Sequence, residues 1–349
     1  MDFPWKWYLK DLPQPTRGKV FSTFACGGGS SMGYKRAGYE VVGCCEIDPA
    51  INKIYRANLY PRHNFLMDLR AFNNLSELPE ELHNLDVLDG SPPCTVFSTA
   101  GKREKTWGKE KTFREGQAKQ TLDDLFFVYL KTVERLKPKV CVAENVTGLV
   151  KGNAKGYVNE IVKHFRELGY EVQLFLLNAA FMEVPQKRER VFFVANRCGF
   201  PKLRLQFTYK PIPFGQIKSP EGDEIGGDLE VNSLRRLLAK ARGGDRKLSD
   251  IAERERGKTI GFTTPLIRDG DVAPTITAAG EMIRMPEAKF CTMADYIAMG
   301  SFPQDYVFDL EGDMKKARAM AKYMIGMSVP PSMMAHIADE IWNQWLSKA

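Results

Sequence analysis

The chain has 349 residues, enough for one large domain or two ordinary ones around a real core. Its composition, 44% hydrophobic and 27% charged, is that of a globular protein. No uncharged apolar run approaches the roughly 18 residues needed to cross a bilayer, and Met1-Asp2-Phe3-Pro4-Trp5-Lys6 lacks the apolar core of a signal peptide, so a cytoplasmic protein is expected. A net charge of +7 permits a polyanionic partner without requiring one. Seven cysteines without metal-ligand spacing are expected to be free thiols and to bind no metal.

Between residues 19 and 196, short β-branched or apolar runs alternate with helix-length amphipathic stretches, the pattern of a doubly wound, mostly parallel sheet flanked by helices. The first predicted strand, Val20–Cys26, leads into Phe24-Ala25-Cys26-Gly27-Gly28-Gly29-Ser30-Ser31-Met32-Gly33. Glycines here allow a sharp strand-to-helix turn and a close approach of backbone to a ligand. The second strand, Glu40–Cys45, ends at Glu46, 19 residues after Gly27, a distance that suits capture of ribose hydroxyls. Asp68, in Leu66-Met67-Asp68-Leu69, is placed to accept from an adenine amino group. These residues point to an adenosine-type cofactor without saying which; a NAD(P)-binding domain reads much the same.

The strand Asp86–Asp89 ends in Asp89-Gly90-Ser91-Pro92-Pro93-Cys94-Thr95-Val96-Phe97-Ser98. Most cysteines are simply buried. Cys94 instead follows a strand end on a turn stiffened by two prolines, at the sheet edge where ligands of open α/β folds bind. Residues 102–119 then carry seven basic side chains against three acidic ones. With Gly101, Gly108 and Gly116 they are expected to form a mobile loop. The strand Val140–Ala143 delivers Glu144 to the same edge. After a further strand, Val172–Leu177, Gln186-Lys187-Arg188-Glu189-Arg190 runs into Val191–Ala195, and alternation puts Arg188 and Arg190 on one face. Beside a cysteine and a glutamate, paired arginines would suit an electron-rich heterocycle.

The texture changes near residue 197. Residues 200–290 hold seven prolines and the pairs Gly226-Gly227 and Gly243-Gly244, and read as a smaller, loop-rich domain. Helical spacing returns from Lys315, breaks at Pro330-Pro331 and resumes through Trp345. The expected division is 1–197 plus 318–349 for the first domain and 198–317 for the second.

In order along nearly the whole chain, these motifs resemble those of the DNA (cytosine-5) methyltransferase family of bacteria and phages. The glycine turn, Pro92-Pro93-Cys94, Glu144-Asn145-Val146 and Gln186–Arg190 match its first, catalytic, acid and paired-arginine motifs. Thr292–Pro303 is similar to the segment that joins the target domain back, and Gly326-Met327-Ser328-Val329-Pro330-Pro331 to the closing motif. Two departures stand out: Met327 where the family usually has Asn, and Thr95 where it commonly has Gln.

The resemblance implies an S-adenosylmethionine-dependent methyltransferase fold with a target-recognition domain. Cys94 would be the nucleophile, Glu144 the acid, Arg190 the ligand of the base and Arg188 its support. The implied cofactor set is Phe24, Ala25, Cys26, Gly27, Gly29, Glu46, Ile47, Asp68, Leu69, Pro93, Leu125, Met327 and Ser328. Ser98, Lys102, Arg103 and Lys105 would grip the phosphates of double-stranded DNA, because a base inside a duplex must be flipped out to be methylated. The expected protein is a monomer, nucleoid-associated when bound. The transfer-RNA branch of the family carries a Cys-Phe-Thr signature, whereas this chain has Phe290-Cys291-Thr292. A non-catalytic binding module would not need Cys94, Glu144 and both arginines intact.

Overall fold

The computed structural model describes residues 4–93, 110–111, 120–121, 125–150, 155–221, 229–257, 264–278 and 280–348. In chain order its elements are β1 (Lys19–Thr23), α1 (Gly29–Arg36), β2 (Glu40–Glu46), α2 (Pro49–Leu59), β3 (His63–Leu66), α3 (Leu69–Asn73) and β4 (Val87–Gly90). Next come β5 (Glu110–Lys111), β6 (Gln120–Thr121), α4 (Leu125–Leu136), β7 (Val140–Val146), α5 (Lys155–Glu167), β8 (Glu171–Asn178) and β9 (Glu189–Asn196). The remainder holds α6 (Leu229–Leu238), α7 (Leu248–Arg256), β10 (Leu266–Arg268), β11 (Ile283–Met285), β12 (Lys289–Phe290), α8 (Met293–Met299), α9 (Met314–Met327) and α10 (Pro331–Gln344).

The chain divides into two compact units. The sheet unit comprises Leu9–Asn178, Glu189–Thr208 and Ser328–Ala349; the other comprises Met1–Tyr8, Ala179–Arg188 and Tyr209–Met327. In the sheet unit seven strands lie in the order β3-β2-β1-β4-β7-β9-β8. The first five pair in parallel, while β9 runs antiparallel to both β7 and β8. Strand order therefore reverses between β1 and β4. In open α/β sheets the carboxyl ends of the strands at such a reversal are where ligands bind.

The five inner strands are buried on both faces and read as near-continuous apolar runs, whereas the edge strands β3 and β8 are mostly half-buried or exposed. On one face Phe21, Leu88, Cys141, Ala143 and Phe193 pack against Phe72 of α3, Phe126 and Val133 of α4 and Phe165 of α5. Helix α4 buries most of its length (Leu125, Phe126, Val128, Tyr129, Leu130, Thr132, Val133, Leu136) and stops before Pro138, with Lys137 in a left-handed conformation. Truncating Phe193 or Phe21 to Ala would cost about 3–5 kcal/mol through the cavity left behind. On α1, a side chain at Gly33 would run into Met334 and the Pro331 carbonyl, so glycine lets α1 and α10 meet closely. The Tyr39 hydroxyl, donating to the Ala338 carbonyl at 3.0 Å, fixes α10 further.

The second unit has its own small core, in which Leu237, Leu238, Leu248, Ile251 and Ala252 of α6 and α7 meet Leu266, Ile283 and Met285. Strand β11 pairs in parallel with β10 and antiparallel with β12. Thr292 and Asp295 cap α8 reciprocally. Buried Arg284 donates to the Ser219 carbonyl at 3.0 Å and lies 3.6 Å from the Asp295 carboxylate.

Candidate active site

Beyond β1 the backbone takes left-handed conformations at Phe24 (φ 51°), Cys26 (φ 44°) and Gly28 (φ 72°). Two of these residues carry a side chain, so the turn is strained and must be held from outside. Glu46, at the end of β2, supplies the hold. Its Oε2 accepts from the Cys26 N–H at 2.8 Å, and its Oε1 from the Ile47 and Asp48 N–H groups, both at 2.9 Å. Burial pushes the Glu46 carboxyl up, and the N–H groups of Asp48, Cys26 and Ile47 pull against it. A carboxylate offers about four acceptor positions. Three are filled from the backbone, which leaves one open.

The same turn shapes a cradle. A side chain at Gly29 would strike the Val329 carbonyl and Ser328, and one at Gly28 would strike Leu59 and Tyr55. The Ser328 hydroxyl is buried with no partner in hydrogen-bond geometry, although it is near enough to the Cys26 thiol to lower its pKa. Burial, reinforced by the Glu46 charge, nevertheless lifts that thiol to about 12, so Cys26 contributes backbone and not reactivity. A glycine-lined hollow, a carboxylate with one open acceptor position and a buried hydroxyl fit an adenosine-type cofactor with a polar amino-acid end.

Other expected cofactor residues fall into distinct roles. Asp68 caps α3, accepting from the Arg70 N–H at 2.7 Å and pairing with the Arg70 guanidinium at 3.1 Å. Leu69 and Leu125 are core residues, with Phe24 packed against the same cluster. Pro93 is half-buried, and Ala25 is buried beside the turn. Met327 ends the second unit, 40% exposed, while Ser328 opens the last segment of the sheet unit.

Across the strand-order reversal, β4 ends at Gly90 and β7 delivers Glu144 and Asn145. Asn145 donates from Nδ2 to the Pro92 carbonyl at 3.0 Å and accepts the Val146 N–H at 2.9 Å, so the acid strand grips the proline turn. Sequence reasoning quoted Asn145 without assigning it this hold; a buried amide adjoining Glu144 was the available signal. Antiparallel pairing sets Arg190 opposite Val146 and Phe192 opposite Glu144. From there Arg190 reaches diagonally, placing Nε 2.7 Å from Glu144 Oε1 with both side chains nearly buried.

Arg188 has a different place. Strand β9 begins only at Glu189, so strand alternation does not extend back to Arg188. It belongs to the second unit, where it is 1% exposed and gives Nη2 to the Gly326 carbonyl at 2.9 Å and Nη1 to the Ile276 carbonyl at 3.4 Å. Cys94, Ser98, Lys102, Arg103 and Lys105 lie outside the described residues. Among the described residues there is no cluster of metal-ligating side chains, and no helix is long and apolar enough to cross a membrane.

An open α/β sheet with a glycine cradle on one side of its strand-order reversal, and an acid–arginine pair on the other, defines a group-transfer enzyme using a nucleoside-type cofactor. The family of C-5 cytosine-specific DNA methylases matches residues 18–343. The chain is 31% identical over 336 residues to the type II methyltransferase M1.HphI of Haemophilus parahaemolyticus, covering 91% of this chain and 85% of that protein. It is 37% identical to M.Sau96I of Staphylococcus aureus over 58% of its own length and 43% of that protein. Among solved structures, a prophage-encoded DNA modification methyltransferase from E. coli superposes with a TM-score of 0.64 at 18% identity, covering 93% of this chain and 99% of that one. Spodoptera frugiperda DNMT2 does so with 0.63 at 15% identity, again covering 93% and 99%; these two likenesses concern the fold. The chain belongs to the C-5 cytosine-specific DNA methylase family. It is a DNA cytosine-5 methyltransferase, and its methyl donor is S-adenosylmethionine.

Proposed function

We propose that this chain methylates a cytosine flipped out of double-stranded DNA, with Cys94 as nucleophile, Glu144 as acid and Arg190 as the group that orients the base. The observation that carries this reading is the Glu144–Arg190 pair at 2.7 Å, beside an asparagine that grips the turn two residues before Cys94. A free thiol titrates near 8.5, and arginine charge nearby favours the thiolate. That thiolate bonds to carbon 6 while Glu144 gives a proton to ring nitrogen 3, which makes carbon 5 nucleophilic. S-adenosylmethionine, when bound, supplies the electrophilic methyl group. Once carbon 5 is methylated, its proton leaves to a base, the carbon 6–sulfur bond breaks, Cys94 departs as thiolate and ring nitrogen 3 returns its proton to Glu144. Glu46 would hold a ribose hydroxyl, and Gly27, Gly29, Ile47 and Ser328 the rest of the cofactor. Ser98, Lys102, Arg103 and Lys105 would bind phosphates.

Two of the relatives named above are type II methyltransferases, which supports a restriction-modification role, exercised in the cytoplasm by a monomer that is nucleoid-associated on DNA. A duplex carrying 5-fluorocytosine at the target tests the mechanism, because fluorine cannot leave as a proton does. Wild type should form a covalent adduct stable in denaturant and Cys94→Ser should form none. A wild type that methylates cytosine yet never forms the adduct would remove Cys94 from the mechanism.

A further inference from the structure

Asp89 is the third residue of β4, buried to 2% exposure in the middle of the sheet, and the mechanism above gives it no task. Register sets it opposite Ser22 of β1 and Val142 of β7. Ser22 donates from Oγ to Asp89 Oδ2 at 2.9 Å, and the Thr23 hydroxyl donates to the Asp89 carbonyl at 3.0 Å. From the first turn of α1, the Ser30 hydroxyl is near enough to draw the carboxyl's pKa down. The Tyr34 hydroxyl, one turn further along α1, is near enough to interact but falls short of hydrogen-bond geometry. A carboxyl placed here costs burial energy that an apolar residue would avoid. Its three hydroxyl neighbours come from the two elements that flank the glycine turn.

The other end of the linkage is the proline turn. Gly90 has no space for a side chain, which would strike the Thr23 hydroxyl and the Tyr129 ring. Pro92, two residues on, is held by Asn145. Asp89 therefore sits where hydrogen bonds join β1 to the strand that carries the nucleophile, with Ser30 and Tyr34 of α1 beside it.

We propose that Asp89 is a positioning residue for methyl transfer, its carboxyl tying β1 and the start of α1, hence the cofactor turn, to the strand that presents Cys94. This rests on the reading of Cys94 as nucleophile given above. The ionised carboxyl is the competent form, because it accepts the Ser22 hydroxyl without carrying a proton that itself needs a buried partner. Burial lifts this carboxyl to about 7; Ser22, Ser30 and Tyr34 draw it down, while the Glu144 charge pushes it up. The titratable groups that act on it include Tyr34 of α1, Tyr129 of α4 and Glu144 of β7. Protonation at lower pH removes one acceptor and loosens the tie.

The experiment is steady-state methylation of a cognate duplex across pH 5.5–9, with S-adenosylmethionine affinity measured separately by calorimetry. In Asp89→Asn, kcat should fall by about 10- to 100-fold, the scale of a small misplacement of reacting groups. Cofactor Kd should stay within about twofold of wild type, since Glu46 and the glycine turn are untouched. Wild-type kcat should rise through pH 7 as Asp89 ionises, and this rise should be absent in the variant, which is held in the neutral state. Ser22→Ala and Ser30→Ala keep the carboxyl and lose one donor each, so the same rise should move to higher pH; a merely structural serine would not move it. These two variants decide the matter if Asp89→Asn does not fold. Unchanged kcat and pH profile in Asp89→Asn, or an unmoved profile in both serine variants, would overturn the proposal. An absent 5-fluorocytosine adduct in wild type would instead overturn the reading of Cys94, so the two failures are distinguishable.

Discussion

Glu46 and Glu144 stand at the carboxyl ends of β2 and β7 in one sheet and are buried almost equally, at 8% and 9% exposure, yet they are held in opposite ways. Glu46 is fixed by three backbone N–H groups, two of them from the next two residues. Those donors cannot leave, so the cofactor side of the sheet is set by the fold itself. Among the described residues, Glu144 is paired with a side chain, Arg190, from the neighbouring strand. A side-chain pair can be exchanged for contacts to a substrate; a backbone cage cannot. The difference separates a group that binds from a group that must handle a proton.

Four variants would break or sharpen that contrast. The largest effect is expected at Glu144→Gln, which keeps the shape and removes the acid. Its kcat should fall by about 10²–10⁴-fold, the range for a general acid, with cofactor Kd unchanged by calorimetry. A parallel loss of cofactor affinity would show that the two halves are not independent. Glu46→Ala should do the reverse, weakening S-adenosylmethionine binding by about 1.5–3 kcal/mol, the scale of a hydrogen bond to a charged group, while kcat at saturating cofactor is largely retained. Neutralising Lys102, Arg103 and Lys105 together should weaken binding to cognate and scrambled duplexes alike and reduce the slope of log affinity against log salt by about 3, near one per phosphate contact. A selective loss on the cognate duplex would mean these residues read bases. The smallest effect is expected at Met327→Asn. It adds an amide at an exposed position beside Ser328 and should tighten cofactor binding by less than about 1.4 kcal/mol, or tenfold; weaker binding would count against the departure from the family pattern being a lost contact.

The strands that could be read from sequence were those made of β-branched and aromatic runs. Glu40–Cys45, Val140–Ala143, Val172–Leu177 and Val191–Ala195 each lie within an observed strand. Strand β3, His-Asn-Phe-Leu, has no such signature and takes its shape from pairing beside β2. The first strand stops three residues sooner than its apolar run because Phe24 and Cys26 turn left-handed, a choice imposed by Glu46 from 20 residues away. The reversal of β9 was equally hidden, since strand composition does not encode direction. In the second unit, α6 and α7 were obscured by a high charge density and short length. Arg254 there is engaged by Asp245 and by the Lys240 carbonyl. At the site, Glu144 and Arg190 announced themselves as types in sequence, whereas the diversion of Arg188 to two carbonyls depends on where β9 begins.

The way the second unit is assembled has an evolutionary consequence. Its bulk is one continuous stretch, Tyr209–Met327, joined by two short pieces from elsewhere in the chain. Those pieces touch the stretch chiefly through its main chain. Gln186 bonds the Met299 carbonyl and the Ile276 N–H, Lys187 donates its N–H to the Ala273 carbonyl, and Trp7 donates to the Ser301 carbonyl. Main-chain groups are present whatever the residue, so side chains along 209–327 are free to diverge without losing these anchors. A lineage could therefore exchange this cassette by recombination in one step, keeping Trp7 and residues 186–188 as a universal socket.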